Sequence, residues 1–399
     1  MYHLYCRMYQ RTLKAVMKVL PWRQPELVEG EKSLSKLPGL IKKNGVKNVL
    51  IVTDKGITKI GLMDGLLNEL TSIGIKYVIY DKTVPNPTID NIEEALISYR
   101  ANGCEGIIAF GGGSPLDCAK GVGARLARPE KSISEMKGQL KVRKAIPPLF
   151  AVPTTSGTGS EATLAAVISN SKTHEKYAVL DTVLIPHVAV LDPLLTVNLP
   201  PHITSTTGMD ALTHAVEAYI GRSNTEETKK YSREAVSLIF DNLLEAYSNG
   251  TNINARKNMQ IASYYAGAAF TKAFVGYVHA IAHTLGGFYN LPHGLANAII
   301  LPHVLDYYGR SVHKPLAELA DLVGLTEEAD SMEVKAGKFI SAIRERNKAM
   351  NIPEKVEGIV DEDIPLMVER ALKEANPLYP VPRILSKEDL FHLYQVISK

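Results

Sequence analysis

The chain has 399 residues, which is enough for two or three domains, and its 45% hydrophobic and 22% charged residues are typical of a soluble, folded protein. Its net charge of +3 does not suggest a nucleic-acid-binding surface. The three cysteines, Cys6, Cys104 and Cys118, form no Cys-x-x-Cys pair, so we expect no disulfide framework and a reducing, cytoplasmic location. No stretch is typical of a transmembrane segment or of a cleavable signal peptide.

The first 22 residues predict a basic amphipathic helix. Four basic residues alternate with apolar ones along it, namely Arg7, Arg11, Lys14 and Lys18. Such a helix could bind a membrane surface or a partner protein. We favour a helix packed on its own fold or on a neighbouring subunit, because apolar stripes usually contact protein.

The next part of the chain alternates between strand and helix patterns. Short β-branched runs predict strands at Asn48–Thr53, Lys76–Tyr80, Gly106–Phe110, Leu149–Val152 and Val188–Leu191. Helical patterns lie between most of them, which favours βαβ units and a parallel sheet.

The pattern changes near Leu199, after which apolar residues recur at helical spacing. We therefore predict an N-terminal extension over 1–22, an α/β domain over 23–200 and an all-helical domain over 201–399. A helix should begin between Thr204 and Thr207, where hydroxyl groups can cap it. Residues 261–288, rich in small side chains, predict a buried helix.

Three glycines, Gly111 to Gly113, follow the predicted strand at 106–110. Ser114 suits the N-cap of the next helix, Pro115 its first position and Asp117 its third. Glycines at such a junction let backbone amides approach a phosphate group, although a plain tight turn has the same pattern.

Two further features of the sequence are consistent with a dinucleotide-binding site. The loop 153–161, Pro-Thr-Thr-Ser-Gly-Thr-Gly-Ser-Glu, could line the same cofactor or be a solvated turn. Asp54, after the first predicted strand, could accept hydrogen bonds from a ribose and repel a 2′-phosphate, or it could cap a turn. Because Asp54 precedes the glycines, the common dinucleotide fingerprint is absent.

Two clusters contain metal-binding side chains. In residues 208–217, Asp210 and His214 lie four residues apart and so share one face of a helix. In residues 278–294, His279 and His283 repeat this spacing, and His293 follows. Each histidine alone is more often structural. The set of Asp210, His214, His279 and His293 offers one carboxylate and three imidazoles, which suits a divalent first-row metal.

Several segments together resemble the iron-containing (group III) alcohol dehydrogenases, in the lactaldehyde and propanediol reductase branch. They occur in the family's order between about residues 23 and 310, whereas residues 1–22 lie outside the resemblance. The matching segments are 52–56, 84–88, 111–120, 153–161, 208–217 and 278–303.

The resemblance implies a dehydroquinate synthase-like fold, in which an α/β Rossmann-like domain precedes an all-α domain and the cofactor and metal lie in the cleft between them. It implies that Asp210, His214, His279 and His293 bind the metal. It further implies cofactor contacts by Asp54, Asn86, Gly112, Gly113, Ser114, Asp117, Thr154, Thr155, Thr158 and Lys176. The family is usually dimeric or larger, so we expect a homodimer or a higher homo-oligomer.

The activity implied is hydride transfer between a small primary alcohol or diol, or its aldehyde, and NAD(H), with Fe(II) or Zn(II) polarising the oxygen. Asp54 favours NAD over NADP. We expect His283 and Lys176 to be catalytic, with Lys176 near the nicotinamide ribose. For His283, a proton relay and a hydrogen bond that orients a metal ligand both remain open.

Other functions remain open as well. Within the superfamily they are a glycerol dehydrogenase or a hydroxyacid–oxoacid transhydrogenase. In other functional classes they are a dehydroquinate synthase-like lyase and a non-catalytic assembly subunit. The sequence has no cluster of basic residues beside the metal-binding residues to hold a sugar phosphate, which argues against the lyase. The identity of the alcohol cannot be inferred from the sequence.

Overall fold

A computed structural model describes residues 1–171 and 175–399 of the chain. The chain divides into two units, one formed by Pro21–Leu199 and the other by Met1–Leu20 together with Pro200–Lys399. Within residues 1–171 and 175–399, none of the helices combines the length and the apolar character of a transmembrane span.

The first unit, Pro21–Leu199, contains strands and helices in alternation. Its strands are β1 (Glu26–Glu29), β2 (Asn48–Val52), β3 (Lys76–Tyr80), β4 (Gly106–Gly111), β5 (Gly138–Gln139), β6 (Leu149–Pro153), β7 (Ala165–Ser169), β8 (Lys176–Leu180) and β9 (Val188–Leu191). Its α-helices are α2 (Leu37–Lys43), α3 (Lys55–Lys59), α4 (Asp64–Ser72), α5 (Ile89–Ala101) and α6 (Gly113–Ala127).

The second unit is helical. Its α-helices are α1 (Tyr2–Val19), α7 (Pro201–Ile220), α8 (Glu226–Ser248), α9 (Ile253–Ala273), α10 (Tyr277–Tyr289), α11 (His293–Tyr308), α12 (His313–Leu322), α13 (Met332–Ala349), α14 (Ile364–Ala375) and α15 (Lys387–Ile397). Helix α1, which we predicted as a separate extension, belongs to this unit.

Six strands form a parallel sheet in the order β1-β9-β6-β4-β2-β3. The five predicted strands are five of these six. Strands β4, β6 and β9 are buried along their whole length, as expected for parallel strands that are covered on both faces. The parallel sheet and the helical C-terminal half confirm the predicted fold class.

The strands missing from the prediction carry weak signals. Strand β1 is a four-residue edge strand that is mostly exposed. Strands β7 and β8 pair antiparallel in a second sheet, of order β5-β8-β7, and bury only alternate residues. Such strands lack the continuous apolar run that marks the central ones.

Two predicted helix boundaries were wrong. Helix α7 begins at Pro201 rather than between Thr204 and Thr207, because proline suits the first turn, where no backbone N–H is needed. Residues 261–288 form parts of two helices rather than one. Helix α9 ends where Phe274 adopts a φ of 66°, a left-handed conformation that a helix cannot continue through, and α10 begins at Tyr277.

Candidate metal and cofactor sites

Four side chains predicted as metal ligands come together in the helical unit. Asp210 and His214 lie one turn apart on α7, His279 lies on α10, and His293 is the first residue of α11. One nitrogen or oxygen atom from each residue lies within 4.8 Å of the corresponding atoms of the other three. Asp210, His214 and His279 are no more than 4% exposed. Buried lone pairs that converge in this way are costly unless a proton or a cation pairs with them.

The start of α11 packs closely against α7 at Gly294. A Cβ atom at this position would lie 2.4 Å from the backbone oxygen of Thr206 and 3.4 Å from the Cβ of Asp210. Only glycine therefore permits this approach without a shift of the backbone. The neighbouring His293 has its Nε2 atom 3.6 Å from Oδ1 of Asp210.

Glu217 fixes the orientation of His279, a role that our sequence analysis did not assign. Its Oε2 atom lies 2.6 Å from Nδ1 of His279 and accepts a hydrogen bond from the N–H of Gly276 at 2.8 Å, while its Oε1 atom accepts from the N–H of Val278 at 2.9 Å. A carboxylate only accepts, so Nδ1 of His279 carries the proton and Nε2 presents its lone pair to the other ligands. Asp210, His214 and Glu217 are spaced at i, i+4 and i+7, and this helical spacing could have identified Glu217 as a residue of the site.

Asn297 lies where the donor atoms of the proposed ligands converge. Its Nδ2 atom lies 2.6 Å from Oδ1 of Asp210 and 3.2 Å from Nε2 of both His279 and His293. One amide nitrogen therefore lies within hydrogen-bond distance of atoms from three of the four residues. Asn297 lies one turn after His293 on α11, so its position, too, could have been read from helical spacing.

The ring of His214 is held by stacking. Its centroid lies 4.2 Å from that of Phe270 and 4.5 Å from that of His279, with interplanar angles of 14° and 26°. Phe270 lies on α9, which no metal-binding motif marks in the sequence, and so this contact was not predictable.

His283 lies beside the four residues without belonging to the group. Its ring stacks on that of His293, with 5.1 Å between the ring centroids. Its Nδ1 atom lies 2.7 Å from Oε1 of Glu374. The same oxygen atom also accepts a hydrogen bond from the Tyr379 hydroxyl. Burial alone would raise the pKa of Glu374, but the charge of His283 and the two hydrogen bonds lower it below its ordinary value. Glu374 comes from α14, far along the chain from the histidines, and no sequence signal marked it.

In the α/β unit, the glycine run lies at the carboxyl end of β4, as predicted, but the helix start was misplaced. Helix α6 begins at Gly113 with Gly112 at the N-cap, so Ser114 and Pro115 lie inside its first turn, and no side chain caps the helix. The prediction placed the cap at Ser114 because serine usually outranks glycine there. No side chain therefore caps the N–H groups of Gly113 and Ser114, which could bind an anion, whereas Pro115 has no N–H.

The two loops that we predicted to line a cofactor are packed against each other. A Cβ atom added to Gly113 would lie 2.7 Å from Cγ2 of Thr158, and one added to Gly112 would lie 3.4 Å from Cγ2 of Thr155. The N–H of Thr154 donates to the oxygen of Gly111 at 2.9 Å. The second loop thus follows β6 and continues the same edge of the sheet.

Three more of the predicted cofactor residues are linked to one another. Nζ of Lys176 donates to Oδ1 of Asn86 at 2.9 Å, and the N–H of Asn86 lies 3.2 Å from Oγ of Ser114. Asn86 adopts a φ of 56°, which asparagine tolerates better than most residues.

Asp117 faces a buried polar network that the sequence did not reveal. Its carboxylate accepts hydrogen bonds from the Ser160 hydroxyl at 2.8 Å and from the N–H of Val167 at 3.1 Å. Nζ of the fully buried Lys120 donates to Oγ of Ser160 and to both oxygens of Thr163, each at 2.9 Å, and to the oxygen of Ala165 at 2.8 Å. Burial lowers the pKa of Lys120 to about 8, and Asp117 partly offsets this effect.

Asp54 lies beyond the carboxyl end of β2. Its side chain caps α3 by accepting a hydrogen bond from the N–H of Ile57 at 3.1 Å. The capping role that we left open is therefore present. A carboxylate has two oxygen atoms, so this bond does not exclude a ribose contact.

Comparison with known proteins identifies the family. Residues 24–193 match the model named iron-containing alcohol dehydrogenase, and residues 204–397 match its C-terminal counterpart, the Fe-containing alcohol dehydrogenase family, C-terminal. The chain belongs to the iron-containing alcohol dehydrogenase family. The resemblance and the predicted enzyme class are thereby confirmed, as is the branch.

Individual relatives cover most of the chain. The 1,3-propanediol dehydrogenase of Klebsiella pneumoniae is 39% identical over 355 residues, which is 88% of this chain and 91% of that protein. The NAD-dependent methanol dehydrogenase of Bacillus methanolicus is 34% identical over 368 residues, 92% of this chain and 96% of that protein. The solved structure of the alcohol dehydrogenase from Oenococcus oeni is 37% identical, with a TM-score of 0.91, and the match covers 95% of this chain and 100% of that one.

Proposed function

We propose that this alcohol dehydrogenase is NAD-dependent and metal-dependent, and that it interconverts a small primary alcohol or diol with its aldehyde. The single observation that supports this most strongly is the convergence of one carboxylate and three imidazoles within 4.8 Å of one another. The phosphate-type loop at the carboxyl ends of β4 and β6 supplies the second requirement, a place for a dinucleotide.

The proposed metal ligands are Asp210, His214, His279 and His293. They fit a divalent cation, because one donor atom each from Asp210, His279 and His293 lies within 2.6–3.2 Å of a single point, the amide nitrogen of Asn297. A bound cation would supply Lewis acidity, which favours loss of the alcohol proton near neutral pH. Nitrogen and oxygen ligands suit both Fe(II) and Zn(II), and we propose Fe(II) from the family, with Zn(II) as the alternative.

The proposed cofactor contacts lie in the α/β unit. The backbone amides of Gly112, Gly113 and Ser114 would bind the pyrophosphate at the start of α6. The hydroxyls of the second loop, at Thr154, Thr155 and Thr158, would complete the binding site.

Three other residues would orient the rest of the cofactor. Asn86 positions the Lys176 ammonium group through their hydrogen bond, and Lys176 would contact the nicotinamide ribose. Asp54 would accept hydrogen bonds from the adenosine ribose and would repel a 2′-phosphate, which makes NAD the preferred cofactor. The relative that is named NAD-dependent supports this preference.

His283 is proposed to carry the proton that the alcohol releases. Glu374 holds Nδ1 of His283, which leaves Nε2 as the atom that would exchange a proton. His283 stacks on His293, but its hydrogen bond goes to the carboxylate of Glu374 rather than to one of the four proposed ligands, which supports this role over that of orienting a ligand.

We also propose a cytoplasmic, homo-oligomeric protein. All three cysteines are free and buried, as suits a reducing compartment. The family resemblance supports the homo-oligomer.

The proposal is tested by anaerobic purification followed by elemental analysis and an assay of NADH formation. The substrate panel should contain small alcohols and diols, glycerol, and a hydroxyacid–oxoacid pair without added cofactor. We expect about one Fe or Zn per chain, and turnover of alcohols with NAD that is lost after chelation and restored by the metal. Activity that is unchanged in metal-free protein would contradict the proposal. Turnover of the hydroxyacid–oxoacid pair alone would indicate a transhydrogenase instead.

A further inference from the structure

Helix α1 is attached to the helical unit through its polar face. The guanidinium group of Arg7 donates to the backbone oxygens of Val381 and Pro382 at 2.7 and 3.0 Å. The amide nitrogen of Gln10, which is buried, lies 3.2 and 2.7 Å from the oxygens of Pro377 and Tyr379, to which it donates.

One turn further along this face, Lys14 donates to the oxygens of Arg222 and Asn224 at 3.2 and 2.9 Å. The side chain of Cys6 lies in the hydrophobic core of the unit. This face of α1 is thus fully engaged, and its polar groups cannot also serve a membrane or a second partner.

The opposite face of α1 is apolar and exposed, which reverses the usual arrangement of a surface helix. Met8, Tyr5 and Leu4 are 59%, 57% and 65% exposed. A contiguous exposed apolar surface of this kind marks an interaction site rather than a solvent-facing helix.

The exposed residues follow a heptad pattern. Alternating steps of four and three residues connect Met1, Tyr5, Met8, Thr12, Ala15 and Val19, all of which are exposed. This is the spacing at which one helix packs along another. Thr12 and Ala15 are small enough for a close approach of two backbones.

The residues on each side of this apolar seam identify the partner. On one side lie Leu4, Arg11 and Lys18, and on the other lie Tyr2, Tyr9 and Val16. In a parallel helix pair, each side faces the opposite side of the partner helix. A second copy of α1 would therefore place Leu4 against Tyr9 and Arg11 against Val16 rather than against a like charge.

We propose that the exposed seam of α1 binds the same seam of a second copy of this chain, as a parallel helix pair around a twofold axis. Helix α1 precedes the part of the chain that matches the family, which begins at residue 24, so this interface is additional to whatever the family's own fold provides. The proposal does not depend on the enzymatic activity.

The first test is the molar mass of the wild-type protein, measured by analytical ultracentrifugation over a range of concentrations and compared with that of Met8→Glu. We expect the negative charge in the seam to weaken one association step at least about tenfold. Ile97→Glu is the matched control, because Ile97 is 67% exposed on another helix, α5. We expect the Ile97→Glu protein to have the same molar mass as the wild type at each concentration. Retained alcohol dehydrogenase activity shows that each variant is folded.

The second test is a cross-link. Ala15→Cys places identical thiols opposite each other in a parallel pair, and the native cysteines are buried. Mild oxidation should give a disulfide-linked dimer for Ala15→Cys and none for Ile97→Cys. A mass that is identical for wild type and Met8→Glu would overturn the proposal. So would binding to phosphatidylglycerol vesicles that Met8→Glu abolishes while the mass stays unchanged, because the seam would then bind lipid.

Discussion

Replacement of Glu217 by glutamine should weaken metal binding without altering any of the four proposed ligands. The carboxylate accepts three hydrogen bonds, from His279, Gly276 and Val278. A glutamine has one oxygen and one NH₂ group, so at least one of these donors would face another donor. Whichever way the amide turns, the charged acceptor behind Nδ1–H of His279 is lost, so Nε2 of that ring becomes less basic and a poorer metal ligand.

The expected magnitude follows from this geometry. Loss of a hydrogen bond that orients a metal-binding histidine typically costs 10–100-fold in metal affinity, which corresponds to about 1.4–2.7 kcal/mol. This loss of metal affinity can be measured by titrating the metal-free Glu217→Gln protein with Zn(II) in the presence of a competing chelator.

Glu318→Gln is the control, because that carboxylate accepts a hydrogen bond from the Tyr219 hydroxyl at 2.6 Å and contacts none of the four ligands. We expect it to bind metal like the wild type. If Glu217→Gln lowers only the melting temperature and leaves the metal affinity unchanged, Glu217 is a structural residue and the reasoning is refuted.

Three further predictions concern the α/β unit. Asp54→Gly should raise the ratio of NADP to NAD turnover, measured as kcat/KM for each cofactor, and an unchanged ratio would exclude the ribose contact. Lys120→Met should leave the oxygen acceptors of Ser160, Thr163 and Ala165 without their donor. We therefore expect the unfolding free energy to fall by at least about 2 kcal/mol and the KM for NAD to rise. A wild-type KM would mean that this network does not shape the cofactor loop. Burial raises the pKa of Glu161 to about 7 from 4.5, so the folded protein retains a proton that the unfolded chain releases. The unfolding free energy should therefore fall as the pH rises through this range, by up to about 3 kcal/mol, and urea titrations should show that Glu161→Gln removes this component.

Much of the proposed metal site could be predicted because its residues lie in short motifs with helical spacing. Asp210 and His214 share one face of α7 whatever surrounds them, since the spacing alone fixes their relative position. The structure adds what spacing cannot give, namely that α7, α10 and the first residue of α11 meet at one point. Glu217 and Asn297 obey the same spacing and could have been found.

Other features depend on packing between distant segments and have no local signal. Glu374 reaches His283 from a helix about ninety residues away, and Phe270 stacks on His214 from α9. The buried Lys120 resembles an ordinary surface lysine in the sequence, because only the tertiary fold supplies its oxygen acceptors.

The start of α6 shows a different failure. Serine is usually a better N-cap than glycine, which placed the cap at Ser114 rather than at Gly112. Residue preferences for the N-cap are a weak guide to the helix start where the close packing of Gly113 against Thr158 determines the backbone conformation.

In the function proposed above, two distant parts of the chain bind one metal ion that the reaction needs. The most direct measurement is the metal content and turnover of His279→Ala, purified anaerobically beside the wild type, with NAD binding measured on both by calorimetry. We predict that the variant loses the metal and the activity while NAD still binds with wild-type affinity. A metal-free His279→Ala protein that oxidises alcohols at the wild-type rate would contradict the account.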